Sequence, residues 1–238
     1  MRQILRSILF YLIFTLWTLV WALALLPFPL LPQPWRYWGC GTWARISSRI
    51  FAWCIGVRYR VQGLENVPRG PCVILSNHQS SLETLLLWRY LPRLSFVLKA
   101  ELLRLPIIGW YLPLSAPIAI DRRAGRQALK QVLEEGERRL QAGIPVLIFP
   151  EGTRQACGKL GAFHQTGVAL AQRAGVPIVP LALNSGCFWP HHDWRKRPGE
   201  LHLHFGPADS GDGHSSLVTQ RLHDWIASEI RQMPTRSG

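Results

Sequence analysis

The chain has 238 residues and a formal net charge of +13, and it is unusually apolar, with 48% hydrophobic and 17% charged residues. Its length allows one sizeable core, or one domain with a membrane attachment. The basic excess is typical of proteins that bind nucleic acid or an anionic lipid surface. An apolar N-terminus has no use in nucleic-acid binding, and the 11 tryptophans suit a boundary between apolar surface and polar headgroups, so the composition favours lipid.

The first predicted element is a long apolar helix. Residues 8–26 are nearly all apolar, which is long enough to cross a bilayer. The proline-rich stretch 27–34 ends this helix, because proline lacks a backbone N–H and clashes with the preceding turn. A signal peptide is the alternative, with Arg2 and Arg6 before the apolar run and residues 22–24 as the cleavage site. The run is longer than the apolar region of a usual signal peptide, which favours a helix that is retained.

The second predicted element is an amphipathic helix over residues 38–57. Arg45 and Arg49 share one face, and another face carries Trp43, Ile46, Ile50 and Trp53. This pattern is typical of a helix at the membrane interface. A single anchor helix is the alternative, but a pair of helices embedded in one leaflet accommodates the two arginines better. Residues 1–56 are therefore predicted to form a membrane-associated helix pair.

From Val57 onward, short apolar runs alternate with segments of helical spacing. The predicted strands are Val57–Gln62, Cys72–Ser76, Leu94–Leu98, Ile118–Ile120, Val146–Phe149, Ile178–Leu183 and Leu201–Phe205. Helical spacing links Leu129, Val132, Leu133, Gly136 and Leu140, and also Leu217, Leu222, Ile226 and Ile230. This alternation predicts an α/β domain over residues 57–238, with a mostly parallel sheet flanked by helices.

In open α/β sheets, functional sites gather at the carboxyl ends of the strands. Ionisable residues follow four of the predicted strands, in the stretches "NHQSSLE", "KAELLRLPIIGW", "DRR" and "PEGTR". Three of the four supply a lysine or an arginine. The sequence therefore predicts one site for an anionic substrate, served by a histidine.

The histidine of that site, His78, stands five positions before Glu83. If the carboxylate accepts a hydrogen bond from one ring nitrogen, the other nitrogen becomes a general base for a hydroxyl proton. The alternative is structural, because Ser80 to Glu83 has the S-x-x-E form of a helix capping box. The two interpretations are compatible, since a carboxylate has two oxygens.

The basic candidates are Lys99, Arg122 and Arg154. Arg122 is preferred over its neighbour Arg123, because adjacent side chains on a strand point to opposite faces and only one can enter a site. In "FPEGTR", Gly152 permits close backbone approach, Thr153 offers a hydroxyl and Arg154 a planar fork that suits phosphate. Glu151 cannot bind phosphate itself and is expected to hold the loop or to pair with a basic residue. For each candidate the alternative is an ordinary surface residue or turn.

Other constellations are set aside. The chain has no G-x-S-x-G, no G-x-x-x-x-G-K-[ST] and no G-x-G-x-x-G after a strand, which argues against serine hydrolases, nucleotide hydrolysis and dinucleotide redox chemistry. His191, His192 and Asp193 could bind a metal, but their surroundings resemble a surface loop, and no metal site is expected. The five cysteines (Cys40, Cys54, Cys72, Cys157, Cys187) form no CxxC and predict buried thiols in a reducing compartment.

Taken in order, "NHQSSLE", "KAELLRLPIIGW", "IAIDR", "FPEGTR" and "VPIVPLAL" resemble the glycerolipid acyltransferase family, specifically bacterial 1-acylglycerol-3-phosphate acyltransferases. The resemblance runs from about Val57 to Asn184, with the motifs in residues 72–184. It implies a sheet flanked by helices and, in bacterial members, an N-terminal helix pair seated in the membrane. The expected location is the bacterial inner membrane, with the active site on the cytoplasmic side.

The resemblance also implies the roles of individual residues. His78 matches the general base, and Glu83 stands where the family usually has aspartate, so this chain has H-x4-E in place of H-x4-D. The positions associated with the substrate phosphate are Lys99, Arg122 and Arg154. The acceptor loop comprises Glu151, Gly152 and Thr153, and Pro177 and Pro180 belong to a block linked to donor binding or to support of the site.

The implied reaction moves a fatty acyl group from acyl-CoA or acyl-carrier protein to the free hydroxyl of a lysophosphatidate, which gives phosphatidate. No cofactor is expected beyond that co-substrate. Two alternatives stay open. One is an acyltransferase for another lysolipid, such as a lyso-aminolipid, and the other is a non-enzymatic protein that binds a membrane surface.

Overall fold

The computed structural model describes residues 1–235, apart from the side chains of Ile108 and Arg122. Two long helices open the chain, α1 (Arg2–Ala24) and α2 (Gln33–Phe51). Helix α2 begins five residues earlier than the sequence predicts, because Pro34 lies in its first turn, where a missing N–H costs no hydrogen bond. Among the described helices, α1 alone is long and apolar enough to cross a membrane.

The body of the chain is one sheet with helices packed around it. Within residues 1–235 the strands are β1 (Val57–Gln62), β2 (Val73–Ser76), β3 (Ser95–Lys99), β4 (Ile118–Ile120), β5 (Val146–Ile148), β6 (Ile178–Leu183) and β7 (Gly199–Phe205). The remaining helices are α3 (Leu82–Tyr90), α4 (Ile108–Tyr111), α5 (Arg126–Gln141), α6 (Thr166–Ala174) and α7 (Ser215–Gln232). All seven predicted strands are present, within two residues at each end.

The strands follow the order β1-β7-β6-β2-β5-β3-β4. Neighbours are parallel except for β6 and β7, so the predicted mostly parallel sheet is confirmed. The three central strands β2, β5 and β6 are buried at every position, which is why they read as continuous apolar runs in the sequence. Each fully buried leucine, isoleucine or valine contributes roughly 1.5–3 kcal/mol.

The antiparallel pairing of β6 with β7 determines which strand ends lie together at one edge of the sheet. Because β7 runs against β6, and β1 runs with β7, both β1 and β7 begin at the edge where β2, β5 and β6 end. We call this the carboxyl edge. Helix α2 reaches the sheet there through the π-turn Ala52–Gly56, and it packs on α3, where Arg89 donates to the Ser48 hydroxyl at 3.2 Å. The N-terminal helices are thereby fixed beside the carboxyl edge.

The expectation that all five cysteines are thiols is wrong for two of them. Cys157 and Cys187 form a disulfide, with 4.8 Å between their Cα atoms, whereas Cys40, Cys54 and Cys72 are buried thiols. The pair is 30 residues apart in sequence, and the fold alone brings the segment after β5 against the turn after β6. The cysteines therefore give no ground for inferring a reducing compartment.

Candidate active site

The predicted histidine and carboxylate meet at the carboxyl edge. His78 follows β2, and Glu83 lies in the first turn of α3. The two atoms Nδ1 of His78 and Oε2 of Glu83 are 2.5 Å apart, with the Glu83 side chain fully buried and the His78 side chain 13% exposed. The imidazole stacks on the Phe149 ring at 4.0 Å between centroids. With Nδ1 held by the carboxylate, Nε2 is the nitrogen that can take a proton from a substrate.

Glu83 holds His78 and also the turn that precedes α3. Its Oε2 holds His78, while its Oε1 accepts the backbone N–H groups of Gln79 and Ser80, each at 2.7 Å. The Ser80 hydroxyl in turn accepts the N–H of Leu82 at 3.1 Å. The predicted capping box is formed only in part, because α3 begins after Ser81 and the Ser80 hydroxyl accepts the N–H of Leu82 instead of that of Glu83. The hydrogen bonds that do form fix the carboxylate that holds His78.

A third donor to Glu83 comes from a residue that the sequence did not single out. The Ser185 hydroxyl donates to Oε1 of Glu83 at 2.5 Å, and Ser185 is fully buried in the short turn after β6. The next residue, Gly186, donates its N–H to the Gln79 side chain at 3.2 Å, and a Cβ there would lie 2.8 Å from the Gln79 Cβ. The absence of a side chain at Gly186 allows this turn to approach the loop that carries His78 and Gln79 closely.

Glu151 holds the backbone around the histidine. Its Oε2 accepts the N–H of His78 at 2.8 Å, and its Oε1 accepts the N–H of Gly161 at 3.0 Å. Burial raises the pKa of Glu151 to about 7, against the lowering effect of these two hydrogen bonds. Gly152, the next residue, has φ +68°, a conformation that L side chains rarely adopt. The loop "EGTR" thus supports His78 as well as the edge of the site.

A cleft of about 600 Å³ opens beside the histidine. Its polar lining includes His78, Lys99, Thr153, Arg154 and His191. Its apolar lining includes Phe14, Trp43, Leu85, Trp88, Phe96, Leu98, Leu112 and Trp189, which come from the N-terminal helices as well as from the sheet domain. One cleft therefore offers a base, cations and a long apolar wall.

His191 is a second residue of the site that the sequence does not single out. The sequence predicts a surface loop there, but His191 lines the cleft, and its Nδ1 lies 3.2 Å from Nη1 of Arg154. Desolvation is the larger cause of a lowered pKa at His191, followed by the positive charge of Arg154. A neutral imidazole accepts a hydrogen bond from the guanidinium, so His191 helps to aim Arg154 across the cleft.

The remaining predicted residues either lie away from His78 or have a side chain outside the described part of the structure. Arg122 begins a short 3₁₀ turn after β4, and its side chain lies outside the described part of the structure. Pro177 precedes β6 at the edge opposite the carboxyl edge, where its carbonyl accepts the N–H of Val73 at 3.0 Å. Pro180 is buried within β6, and its carbonyl accepts the N–H of Gly206 at 2.8 Å. Both prolines support the sheet rather than line the cleft.

Comparison with known proteins identifies the same part of the chain. The family model described as "Acyltransferase" matches residues 58–184, which include every candidate discussed above except His191 and Ser185. A 1-acyl-sn-glycerol-3-phosphate acyltransferase from Pseudomonas aeruginosa is 42% identical over 237 residues, which cover 97% of this chain and 92% of that protein.

Two more distant proteins, one compared by sequence and one by structure, are also similar to this chain. A human 1-acyl-sn-glycerol-3-phosphate acyltransferase beta is 37% identical over 139 residues, and the match covers 58% of this chain and 50% of that protein. The crystal structure of a 1-acyl-sn-glycerophosphate acyltransferase from Thermotoga maritima superposes with a TM-score of 0.82 at 24% identity, over 98% of this chain and 97% of that one. The fold, including the N-terminal helices, is thus shared along nearly the whole length.

Proposed function

Because this chain belongs to the acyltransferase family and is an O-acyltransferase, we propose that it moves a fatty acyl group from acyl-CoA or acyl-carrier protein to the free hydroxyl of 1-acylglycerol-3-phosphate, giving phosphatidate for phospholipid biosynthesis. The observation that carries the proposal is the cleft, which combines the His78–Glu83 pair with Lys99, Arg154 and an apolar wall. A lysophosphatidate needs each of these, since it presents a hydroxyl, a phosphate and a hydrocarbon chain.

The histidine supplies the chemistry. Nε2 of His78 takes the proton of the acceptor hydroxyl as that oxygen attacks the thioester carbonyl, and the proton then passes to the departing thiolate. Glu83 fixes the tautomer and stabilises the imidazolium that forms between these steps. The stacked Phe149 ring and the three donors on Glu83 hold the pair in place, so little reorganisation accompanies the reaction.

The basic side chains position the acceptor. Lys99 lines the cleft from the end of β3 and Arg154 from the loop after β5, two strands that lie on the same side of β2, the strand that His78 follows. Phosphate held between them brings the hydroxyl to Nε2, an entropic contribution to the rate. Arg122 is proposed as a third phosphate contact on the family resemblance.

We further propose that the enzyme works at the bacterial inner membrane with its cleft on the cytoplasmic side, where both acyl donors occur. Support comes from the exposed leucines of α1, among them Leu12 at 65% and Leu23 at 69% exposed. An apolar face of this size on a soluble protein would cost solubility. The cleft takes part of its wall from Phe14 and Trp43 of the two helices, so a lipid acceptor can enter from the membrane directly.

Transfer of labelled acyl groups by the purified protein to a panel of acceptors tests the proposal. We expect 1-acylglycerol-3-phosphate to be preferred over lysophospholipids with larger headgroups and over lyso-aminolipids. His78→Ala is expected to lower kcat by about 10²–10⁴-fold with little change in acceptor binding. His204→Ala is the matched control, because His204 is also held by a glutamate, Glu229, at 2.7 Å but belongs to β7 outside the cleft. A His78→Ala enzyme with near-normal turnover would refute the mechanism.

A second variant tests the phosphate. Arg154→Ala is expected to raise the KM for 1-acylglycerol-3-phosphate and to leave the KM for a phosphate-free acceptor unchanged, since the lost interaction is a charge-assisted hydrogen bond to phosphate. An equal loss with both acceptors, or preference for a lyso-aminolipid, would assign a different acceptor to the cleft.

A further inference from the structure

A second cavity lies outside the cleft, where α1 meets the segment before β7. It has a volume of about 510 Å³, and its lining includes Arg2, Arg6, Asp193, Arg195, Lys196 and Arg197. We call it the basic cavity. Five cationic side chains thus face a single carboxylate in its lining, which makes it a place where an anion would be bound.

The one carboxylate organises the cations rather than neutralising them. Nε of Arg195 lies 3.0 Å from Oδ1 of Asp193, and Nη2 of Arg197 lies 3.6 Å from Oδ2. Both arginine side chains are 52% exposed, so each keeps N–H donors directed to solvent or to a ligand. On the opposite wall, Arg6 is steadied by the Ile55 carbonyl at 3.3 Å.

Lys196 is the buried cation in the lining of the cavity. It is 2% exposed, and its Nζ donates to the Asp193 carbonyl at 3.2 Å and lies over the rings of Trp189 (4.7 Å) and Tyr11 (5.4 Å). Its backbone N–H donates to the Ser7 hydroxyl of α1 at 2.8 Å. Burial lowers the pKa of Lys196 to about 8, which a bound anion would oppose. A buried lysine, and not only exposed arginines, therefore belongs to the lining of this cavity.

The residues around the basic cavity indicate which kind of anion it binds. Helix α1 presents an exposed stripe at helical spacing, formed by Leu5, Leu9, Leu12, Leu16 and Leu23. Arg2 stands one turn before the start of this stripe, so cations occupy the end of a hydrocarbon-facing helix, where lipid headgroups lie. The cavity is also on the carboxyl edge, and Trp189 separates it from the catalytic cleft, because that ring lines the cleft and contacts Lys196.

We propose that the basic cavity binds the phosphodiester headgroup of an anionic membrane phospholipid, which is distinct from the acceptor in the catalytic cleft. The inference rests on the proposed function in one respect, that α1 lies in a membrane. Headgroup binding there would hold the cleft at the depth of the phosphates, where a lysophosphatidate presents its own phosphate and hydroxyl.

Calorimetric titration of the full chain in a neutral detergent tests this proposal. The ligand is dihexanoyl-phosphatidylglycerol below its micelle-forming concentration, compared with dihexanoyl-phosphatidylcholine, inorganic phosphate and coenzyme A. We expect the anionic lipid to bind more tightly than the other three. Arg195→Ala/Arg197→Ala should weaken its binding about 30-fold, since each basic residue near an anionic headgroup contributes about fivefold. Arg221→Ala is the matched control and should change nothing, because Arg221 is similarly exposed (53%) and paired with Asp209 at 2.8 Å, but lies on α7.

Equal affinity for the two lipids, or unchanged affinity in the double variant, would overturn the proposal. Tighter binding of phosphate or coenzyme A would also overturn it, because it would assign the cavity to a free anion or to the acyl donor. Acyl transfer to a soluble short-chain acceptor, measured on the same preparations, distinguishes a failure of the headgroup proposal from a failure of the proposed function. The double variant should keep its kcat there, whereas His78→Ala should lose transfer and keep the affinity for the anionic lipid.

Discussion

Removing the Ser185 hydroxyl should slow the reaction without touching the cleft. Ser185→Ala deletes one of three donors to Oε1 of Glu83, the carboxylate that holds His78. A hydrogen bond to a charged group contributes about 1.5–3 kcal/mol, which corresponds to about 10- to 150-fold in rate if the whole amount is lost in the transition state. The N–H groups of Gln79 and Ser80 still hold the oxygen, so we expect the lower end, about tenfold in kcat. The KM values for the acceptor and for the acyl donor should not change, because Ser185 is fully buried behind the carboxylate.

Steady-state kinetics of acyl transfer provides the assay, and Ser95→Ala is the control. Ser95 is also fully buried, but its hydroxyl donates to the Ala116 carbonyl at 2.7 Å, beyond reach of the histidine. That variant should lose stability and keep its kcat. A Ser185→Ala enzyme within twofold of wild-type kcat would show that the two backbone donors alone position Glu83.

The same change in a Glu83→Asp background tests the geometry. Aspartate draws the carboxylate back by about one C–C bond, roughly 1.5 Å, so it cannot reach both the Ser185 hydroxyl and Nδ1 of His78. We expect Glu83→Asp to lower kcat and Ser185→Ala to add less than twofold to that loss, which is a coupling between neighbours. Equal losses in both backgrounds would mean that Ser185 acts independently of the carboxylate.

Three further predictions concern the support of the site. Burial raises the pKa of Glu151 from 4.5 to about 7, so between these pH values the native state holds a proton that the unfolded chain releases. The free energy of unfolding should therefore fall by up to about 3 kcal/mol as the pH rises from 4.5 to 7. Denaturant titrations of Glu151→Gln should lack this dependence of the unfolding free energy on pH. Reducing the Cys157–Cys187 disulfide should cost at most about 4 kcal/mol for a loop of this length and lower kcat by freeing the Ser185 turn. A variant with serine at both positions should show these losses without reductant and should not respond to reductant. Gly186→Ala should cost about 1–3 kcal/mol of unfolding free energy because its Cβ would collide with Gln79; an unchanged melting temperature would contradict this.

The sequence was a good guide wherever local pattern decides the structure. Continuous apolar runs located β2, β5 and β6 because both faces of a central parallel strand are buried. Residues just after those strands were correctly expected at one edge, which is why His78 and Arg154 line one cleft. The pairing of His78 with Glu83 was also accessible, since it spans only five positions at the start of a helix.

Contacts across long sequence separations were not accessible. Ser185 lies 102 positions from Glu83, and His191 lies 37 positions from Arg154. A buried serine in a turn and a histidine beside prolines carry no local signal of a partner. The disulfide was missed for the same reason, since spacing cannot show which loops the fold brings together.

The direction of β7 determines where the longer part of the segment between β6 and β7 lies. Had β7 run parallel to β6, a crossover would have carried the chain back to the opposite edge of the sheet, and the segment that leads into β7 would not have stayed beside His78. Ser185 lies at the carboxyl edge because it directly follows β6. Because β7 is antiparallel, the segment before it stays at the same edge, where it supplies His191 to the cleft and Lys196 to the basic cavity. The parallel β1 enters at the same edge and ties α2 to it. One reversed strand therefore places this segment and the N-terminal helices beside the His78–Glu83 pair, and a change that shifted the β6–β7 register should impair acyl transfer and headgroup binding together.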